Sequence, residues 1–254
     1  MKVRTKLTVV NNIAVAAVIV GFSLFLFFQV RSVILENIEH DLERANHQIV
    51  DLIESASDAS IKVHLRTISE TARALVEYQY ERYLNGELSE AEAYAAAKAI
   101  MLDPDYGRIG DTGYLAGVGT DGVLVIHPKS EGVDASGFEF MQRAMSMKNG
   151  YLEYMWKNQG EETERAKAGW LSYFEPWDFM VWASSYKSEF ADLVEPDDFR
   201  DTVLDIDLGE SSYPYIIDSD GNVIIHPFEA GTNMYMETDA DGQLFIQEIC
   251  REQE

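Results

Sequence analysis

Apolar residues run almost without a break from Leu7 to Val30, and within Ile13 to Phe28 only Gly21 and Ser23 interrupt them. As a helix rising 1.5 Å per residue the stretch reaches about 36 Å, enough to cross a hydrocarbon core of about 30 Å. Lys2, Arg4 and Lys6 precede it, a charged start that a cleaved secretory signal also shows. The stretch is longer than a usual signal core, however, and Phe27-Phe28-Gln29-Val30-Arg31 offers no pair of small residues for cleavage, so an uncleaved anchor is expected. Beyond the span, Leu35, Ile38, Leu42, Ala45, Ile49, Leu52, Ala56, Ala59 and Val63 recur at alternating three- and four-residue steps. That spacing marks one apolar stripe on a long helix, and neither Gly nor Pro intervenes before Gly86. The stripe is open to two uses: packing on the domain that follows, or a parallel seam with a second copy of the chain. Three alanines among its nine positions make it a weak coiled coil.

Asn85-Gly86 ends the helix, and Ser89-Glu-Ala-Glu92 reads as a capping box opening an Ala-rich helix to about Leu102. From Gly110 the period changes to two. Gly113 to Val118 and Val123 to His127 flank the turn Thr120-Asp-Gly122 and predict a hairpin. A helical stretch from about Phe138 to Lys148 stops at Asn149-Gly150. Strands are then expected at Tyr151 to Trp156, Lys167 to Phe174 and Phe179 to Tyr186, separated by the polar Gln159-to-Glu162 loop and the Glu175-to-Asp178 turn. Hairpin, helix and three antiparallel strands make an α+β layout, an antiparallel sheet of five strands backed by helices. Glu189 to Leu204 reads as a connecting helix broken at Pro196.

The chain also repeats itself. Gly110, Tyr114, Asp121, Gly122, Ile126, His127, Pro128 and Gly132 recur 99 residues later as Gly209, Tyr213, Asp220, Gly221, Ile225, His226, Pro227 and Gly231. Phe140 to Ala144 then aligns with Phe245 to Ile249, and Glu254 with Asn149. The second copy has no counterpart of the strands Tyr151 to Tyr186, and a half sheet leaves open edges, so this copy is expected to be incomplete, with further strands beyond Glu254.

Several stretches together resemble a Cache domain of the single-Cache type 2 pattern. They are Asp105 to Pro128 with its Gly110-Asp-Thr-Gly-Tyr114 and Ile126-His-Pro128, Gly150 to Trp156, Lys167, and Phe174 to Tyr186. Asp207 to Pro227 is similar to the start of another. Two positions depart from the pattern: Trp177-Asp178 stands where an aromatic-glycine pair is common, and Ser184-Ser185 where a glycine usually precedes the final Tyr. The resemblance implies a PAS-like sheet in the periplasmic or extracellular part of a chemoreceptor, sensor histidine kinase or cyclic-nucleotide enzyme. It also implies a ligand among small organic acids, and an inner-membrane location with the sensor outside.

Charge narrows the partners. The chain carries a formal net charge of −24, and once the three cations before the span are set aside, 17 Lys+Arg face 44 Asp+Glu. Such a body repels phosphate backbones, which argues against nucleic acid. With Cys250 the only cysteine, neither an intrachain disulfide nor a cysteine-based zinc site can form. His127-Pro128 and His226-Pro227 lack a second ligand at metal spacing, and Asp218-Ser-Asp-Gly221 and Asp239-Ala-Asp-Gly242 lack the Glu that completes a calcium loop. No metal and no cofactor is expected, and no Ser/His/Asp order or phosphate-cradling glycine loop points to an enzyme.

In the first copy, alternation places Leu152, Tyr154 and Trp156 on one strand face, and Lys167, Gly169, Leu171 and Tyr173 on one face of the next. An ammonium beside aromatic rings and hydroxyls suits a small carboxylate, with charge-assisted bonds for its oxygens and apolar walls for its carbons. The candidate ligand-binding residues are Lys167, Tyr154 and Trp156, with Tyr114, Tyr173 and His127 as further contributors. The competing reading makes Tyr154 and Trp156 core aromatics, Lys167 a solvated strand end and His127 a hairpin cap. It yields a spacer or dimerisation module whose cleft Trp156 and Trp170 pack shut.

The organisation expected is residues 1–6 cytoplasmic, 7–30 transmembrane, 31–84 a long extracytoplasmic helix and 85–187 a sensor domain. Residues 188–205 form a connecting helix, and 206–254 an incomplete second unit. A homodimer is expected. Because the basic cluster precedes the span and all 44 acidic residues follow it, the amino terminus stays inside. A compartment reporter fused after Gly160 is therefore active only outside the cytoplasm; activity in the cytoplasm would overturn this topology.

Overall fold

The computed structural model describes residues 3–158, 160–193, 195–209 and 212–251. Lys2 of the basic cluster, Gln159 of the polar loop and Glu254, the position aligned with Asn149, lie outside the described residues. The chain divides into two compact units, Ile53–Asp198 and Met1–Leu52 with Phe199–Glu254.

Helix α1 runs from Val3 to Leu84. It contains an apolar window of mean hydropathy 2.5, none of it buried, so one helix is long and apolar enough to cross a membrane. In the unit Ile53–Asp198, α1 is followed by α2 (Glu90–Met101), which opens on the capping box: Ser89 Oγ accepts from Glu92 N, and Glu92 Oε2 accepts from Ser89 N at 2.8 Å. The strands are β1 (Arg108–Ile109), β2 (Gly113–Gly119), β3 (Leu124–Ile126), β4 (Gly150–Trp156), β5 (Arg165–Phe174) and β6 (Phe179–Tyr186), with α3 (Glu139–Met147) between β3 and β4. Their order is β1-β2-β6-β5-β4, all antiparallel, with β3 paired to β2. The five expected strands are present, and the two-residue β1 adds a sixth beside them.

All eight residues of β6 are buried, because helices cover both faces of the sheet at its centre. Phe179, Val181 and Ala183 join Ile61, Leu65, Ala72 and Val76 of α1 and Ala97 and Met101 of α2 in one core. Met180 and Trp182, on the other face, join Met141 and Ala144 of α3 with Leu152 and Leu171. Ser69 Oγ pins α1 to the sheet, donating to Val181 O at 3.0 Å and hydrogen-bonded to the Ser172 hydroxyl at 2.9 Å.

One alternative for the stripe is narrowed and one expectation is corrected. Val63, the last position of the stripe, does not face this sheet. At about 100° per residue, Val63 lies about 200° from both Ile61 and Leu65, which are buried, while Val63 itself is 64% exposed. The sheet takes the opposite face of the helix. Second, the connecting helix from Glu189 is not continuous: 3-10 turns span Lys187–Leu193 and Pro196–Phe199, and only Arg200–Leu204 (α4) is α-helical. Pro196 has no N–H to donate and disfavours helix in the residue before it, so the break is wider than a kink.

The unit Met1–Leu52 with Phe199–Glu254 holds α4, a hairpin of β7 (Ile216–Ile217) and β8 (Val223–Ile225), and α5 (Phe245–Arg251). The 99-residue repeat has geometric counterparts: bridges Val123↔Asp134 and Asn222↔Asn233, and edge-on Tyr114–His127 and Tyr213–His226 pairs with centroids 4.8 and 5.0 Å apart. Asp218 and Asp239 spend Oδ1 on the N–H groups of their own turns, at residues 220 and 222 and at 241 and 243. Both act as turn formers.

Asp178 adopts φ 50°, ψ 45°, the left-handed conformation for which glycine is the usual residue, and its carboxylate accepts from Thr120 Oγ1 and Tyr173 OH at 2.7 Å each. Gly169 is needed for a different reason: the Trp182 indole lies directly over it, and a Cβ there would overlap Nε1. Gly169→Ala is expected to lower stability by about 1–3 kcal/mol through overpacking. Thermal melting checks this; a melt unchanged from the parent would mean that the indole has room elsewhere.

Candidate functional site

The face of the sheet toward α3 carries, in cross-strand register, Tyr114 and Ala116 on β2, Ser184 and Trp182 on β6, Lys167 and Gly169 on β5, and Tyr154 on β4. Tyr114, Tyr154, Trp156, Trp182 and Ser184 line a cavity that His127 closes from the end of β3 and Phe140 and Met141 from α3. It offers about 50 Å³ to water centres. At roughly 10–15 Å³ per centre this corresponds to a few heavy atoms, the scale of a very small molecule. Among the described residues no Asp or Glu lines it.

Lys167 stands behind the Tyr114 wall. It is 0% exposed; its Nζ lies 4.3 Å from the Tyr114 ring centroid and 5.3 Å from that of Tyr186, and it donates to Asn158 Oδ1 at 3.2 Å. Among the described residues no carboxylate forms an ion pair with it. The two acids that influence it are committed elsewhere. Glu189 accepts from Asp111 N, Thr112 N, Thr112 Oγ1 and Ser185 Oγ, while Glu161 accepts from Tyr186 OH, Asn158 N and Arg165 Nη2. Burial accordingly pulls the Lys167 ammonium down from 10.5 to about 8, with Glu189 and Glu161 only partly restoring it.

The cavity's other polar groups can each donate, and its hydroxyls can also accept. His127 Nδ1 accepts from Lys129 N at 3.0 Å and Ser130 N at 2.9 Å. The neutral ring therefore carries its proton on Nε2. Burial first, then the neighbouring Lys167 charge, push its pKa down to about 4, so the imidazole is uncharged at neutral pH. Burial raises the Tyr154 phenol, so it keeps its proton. Burial also raises Tyr114, to about 12, so it keeps its proton. Trp182 Nε1 is, among the described residues, a buried side-chain donor with no partner at all. An unpaired buried N–H costs about 1–3 kcal/mol.

Tyr114, His127, Tyr154 and Trp156 thus meet in one cavity with Lys167 adjacent, but Tyr173 does not join them. It pairs with Met180, six residues along β5 from Lys167 and so about 20 Å away; its hydroxyl donates to Asp178, and Lys148 caps its ring at 4.4 Å. Shared alternation put it on the right face at the wrong height. Lys167 is no solvated strand end, because β5 begins two residues earlier and the loop bearing Asn158 covers the ammonium. Trp182, Ser184, Phe140 and Asn158 escaped the sequence reading. The available signal was the phase of β6, in which Trp182, Ser184 and Tyr186 share a face, opposite a glycine at position 169.

The Cache domain family model dCache_2 matches residues 29–253, and the chain belongs to that family. Among solved structures it is similar to the periplasmic sensor domain of a chemotaxis protein, at 26% identity and TM-score 0.45, covering 50% of this chain and 96% of that one. It is also similar to a Cache chemosensory domain described for carboxylic acid recognition, at 19% identity and TM-score 0.43, covering 54% and 96%. A third is the ligand binding domain of Mlp24 with asparagine, at 16% identity and TM-score 0.32, covering 81% and 80%.

The depressed ammonium has a thermodynamic signature. Between about pH 8 and 10.5 folded Lys167 binds fewer protons than it does unfolded, so its contribution to stability rises with pH across that window. The melting temperature of the wild type is expected to gain on that of Lys167→Met from pH 8 to pH 10.5. A difference that stays constant with pH contradicts the buried, unpaired ammonium.

Proposed function

We propose that the chain is the sensing region of a membrane-anchored receptor, crossing the membrane once with the sheet outside, and that the cavity against α3 binds a short carboxylate. The observation that carries this is Lys167, a fully buried ammonium that among the described residues has no counter-ion, beside a cavity that no described acid lines. A carboxylate at the Tyr114–His127 end supplies the missing charge. At about 6 Å and an effective dielectric of about 20 the attraction is worth about 3 kcal/mol. The neutral His127 Nε2–H and the Tyr114, Tyr154 and Ser184 hydroxyls donate to its oxygens, and Trp156 and Phe140 wall its carbons. No acid is available there for an ammonium group, which favours plain acids over amino acids.

Charge alone is not enough. Micromolar binding needs about −8 kcal/mol, so the donors act together with Lys167 in a site closed to water. Signalling requires that the acid bind one arrangement of the sheet against α1 more tightly than another, since equal affinity shifts nothing. A homodimer belongs to the same reading, because the stripe Leu35, Ile38, Leu42 and Leu52 is exposed and Val63 points away from the sheet. A spacer role predicts instead a cavity that binds nothing.

The test is a thermal-shift titration of the full chain in detergent against acetate, propionate and succinate, with Lys167→Met alongside. A short monocarboxylate is expected to stabilise the wild type, by about 2.7 kcal/mol at a hundredfold excess over Kd. The variant binds it at least about tenfold more weakly. Affinity is level below about pH 8 and falls above it as Lys167 loses its proton. If none of the acids raises the melting temperature, or the variant binds as well as the parent, the carboxylate reading fails and the spacer reading replaces it.

A further inference from the structure

We infer that the outer edge of β4 is a docking site for an extended, basic segment of another protein, taken up as one more strand of the sheet. The sheet ends on β4, and among the described residues the main chain of Gly150–Trp156 is hydrogen-bonded to β5 alone. Alternate residues of an antiparallel edge strand turn their N–H and C=O outward, so this edge presents a row of unpaired groups. Sheet edges are ordinarily blunted by short strands, bulges, proline or charge. The opposite edge follows that rule: β1 has two residues, and β3 has three with a shift of register against β2. β4 does not. It runs seven residues in unbroken register with β5, contains no proline and carries a single charge, Glu153, whose carboxylate already accepts from Tyr151 OH at 2.6 Å and Lys187 Nζ at 3.2 Å.

Beside this edge Phe138, Phe140, Tyr154, Met155 and Trp156 form an apolar groove between β4 and the start of α3. Phe138 is 49% and Met155 55% exposed; Phe138 stacks on Phe140, and both meet Trp156 edge-on with centroids 5.4 and 5.3 Å away. The groove offers about 280 Å³ to water centres, room for a partner's side chains alongside its main chain. Charge selects the occupant. Glu139, Glu153 and Glu164 line the groove against Arg143 alone. Two copies of β4 paired antiparallel about their centres would set Glu153 opposite Glu153, and like charges so placed are unfavourable. A foreign strand that alternates Lys or Arg with aliphatic residues meets both demands: its aliphatic side chains fill the aromatic groove, and its cations answer the acids.

The probe is a fluorescent peptide as long as β4 that alternates lysine with valine, titrated into the full chain in detergent at about 0.15 M salt. It is expected to bind at least about tenfold more tightly than the same peptide N-methylated at every residue, which keeps the charges and loses the ladder. A peptide alternating glutamate with valine is expected to bind at least about a hundredfold more weakly. Glu139→Lys combined with Glu164→Lys, both exposed, is expected to weaken the lysine peptide at least about tenfold. Hydrogen exchange reads the place: amides of residues 150–156 are expected to slow at least about tenfold with the lysine peptide and not with its methylated form. Equal binding of the methylated peptide would mean adsorption by charge only, and equal binding of the glutamate peptide, or indifference to the two substitutions, would remove the basic partner. Protection of 150–156 that appears as the chain alone is concentrated would give the edge to a second copy. Each of these results overturns the proposal, as does a lysine peptide that fails to bind, and none of them bears on the carboxylate reading.

Discussion

An ammonium sealed inside a protein needs a partner for its charge, and among the described residues Lys167 has an amide oxygen and two aromatic faces. Much of the surrounding architecture follows from that constraint. The two acids close enough to affect it are held by other donors: Glu189 by the turn between β1 and β2 and by Ser185, Glu161 by Tyr186 and Arg165. Keeping them occupied leaves the positive field to act on the acid-free cavity beyond Tyr114. In a chain with a net charge of −24 that is a local inversion of sign.

The sheet makes the cavity possible by being covered on both faces. Helices α1 and α2 take one side and α3 the other, so β6 is buried throughout and its alternate residues serve different ends. Val181 and Ala183 fasten the sheet to α1; Trp182 and Ser184 face the cavity. Adjacent residues of one strand therefore touch the candidate ligand site and the helix whose first part is long and apolar enough to cross a membrane. Lys187 adds a second link, ion-paired with Asp58 of α1 at 2.8 Å and with Glu153 of β4 at 3.2 Å. A change at the cavity has short, packed routes to α1, and coupling follows only where the ligand distinguishes two arrangements of those contacts.

The fold was largely legible in the residue pattern. Period-two runs bounded by Thr120-Asp-Gly122, Asn149-Gly150 and Glu175-to-Asp178 identified the five main strands to within two residues, because turn chemistry and alternation agreed. Two-residue β1 carried no pattern long enough to read. The stripe on α1 was a real periodicity, but the face that packs on the sheet, Ile61, Leu65, Ala72 and Val76, interleaves small and polar residues such as Ser69 and so looked less apolar than the face left exposed. Of the candidate site, the residues on β4 and the hairpin were found from aromatic and histidine content. Tyr173 was misplaced because alternation reports a face and not a height along the strand. Trp182 was missed because its meaning lies in an unpaired N–H over Gly169, a feature of three dimensions only.

Carboxylate binding here depends on Lys167 being a buried cation in want of an anion, and its ammonium can be observed directly. With lysines labelled at 13Cε, the full chain in detergent is titrated from pH 6 to pH 11 with and without propionate, and the Lys167 resonance is assigned by its absence in Lys167→Met. The expected result is a midpoint near 8 in the free protein that rises when propionate is present. A Lys167 that titrates near the ordinary lysine value of 10.5 and ignores the acid would contradict the account.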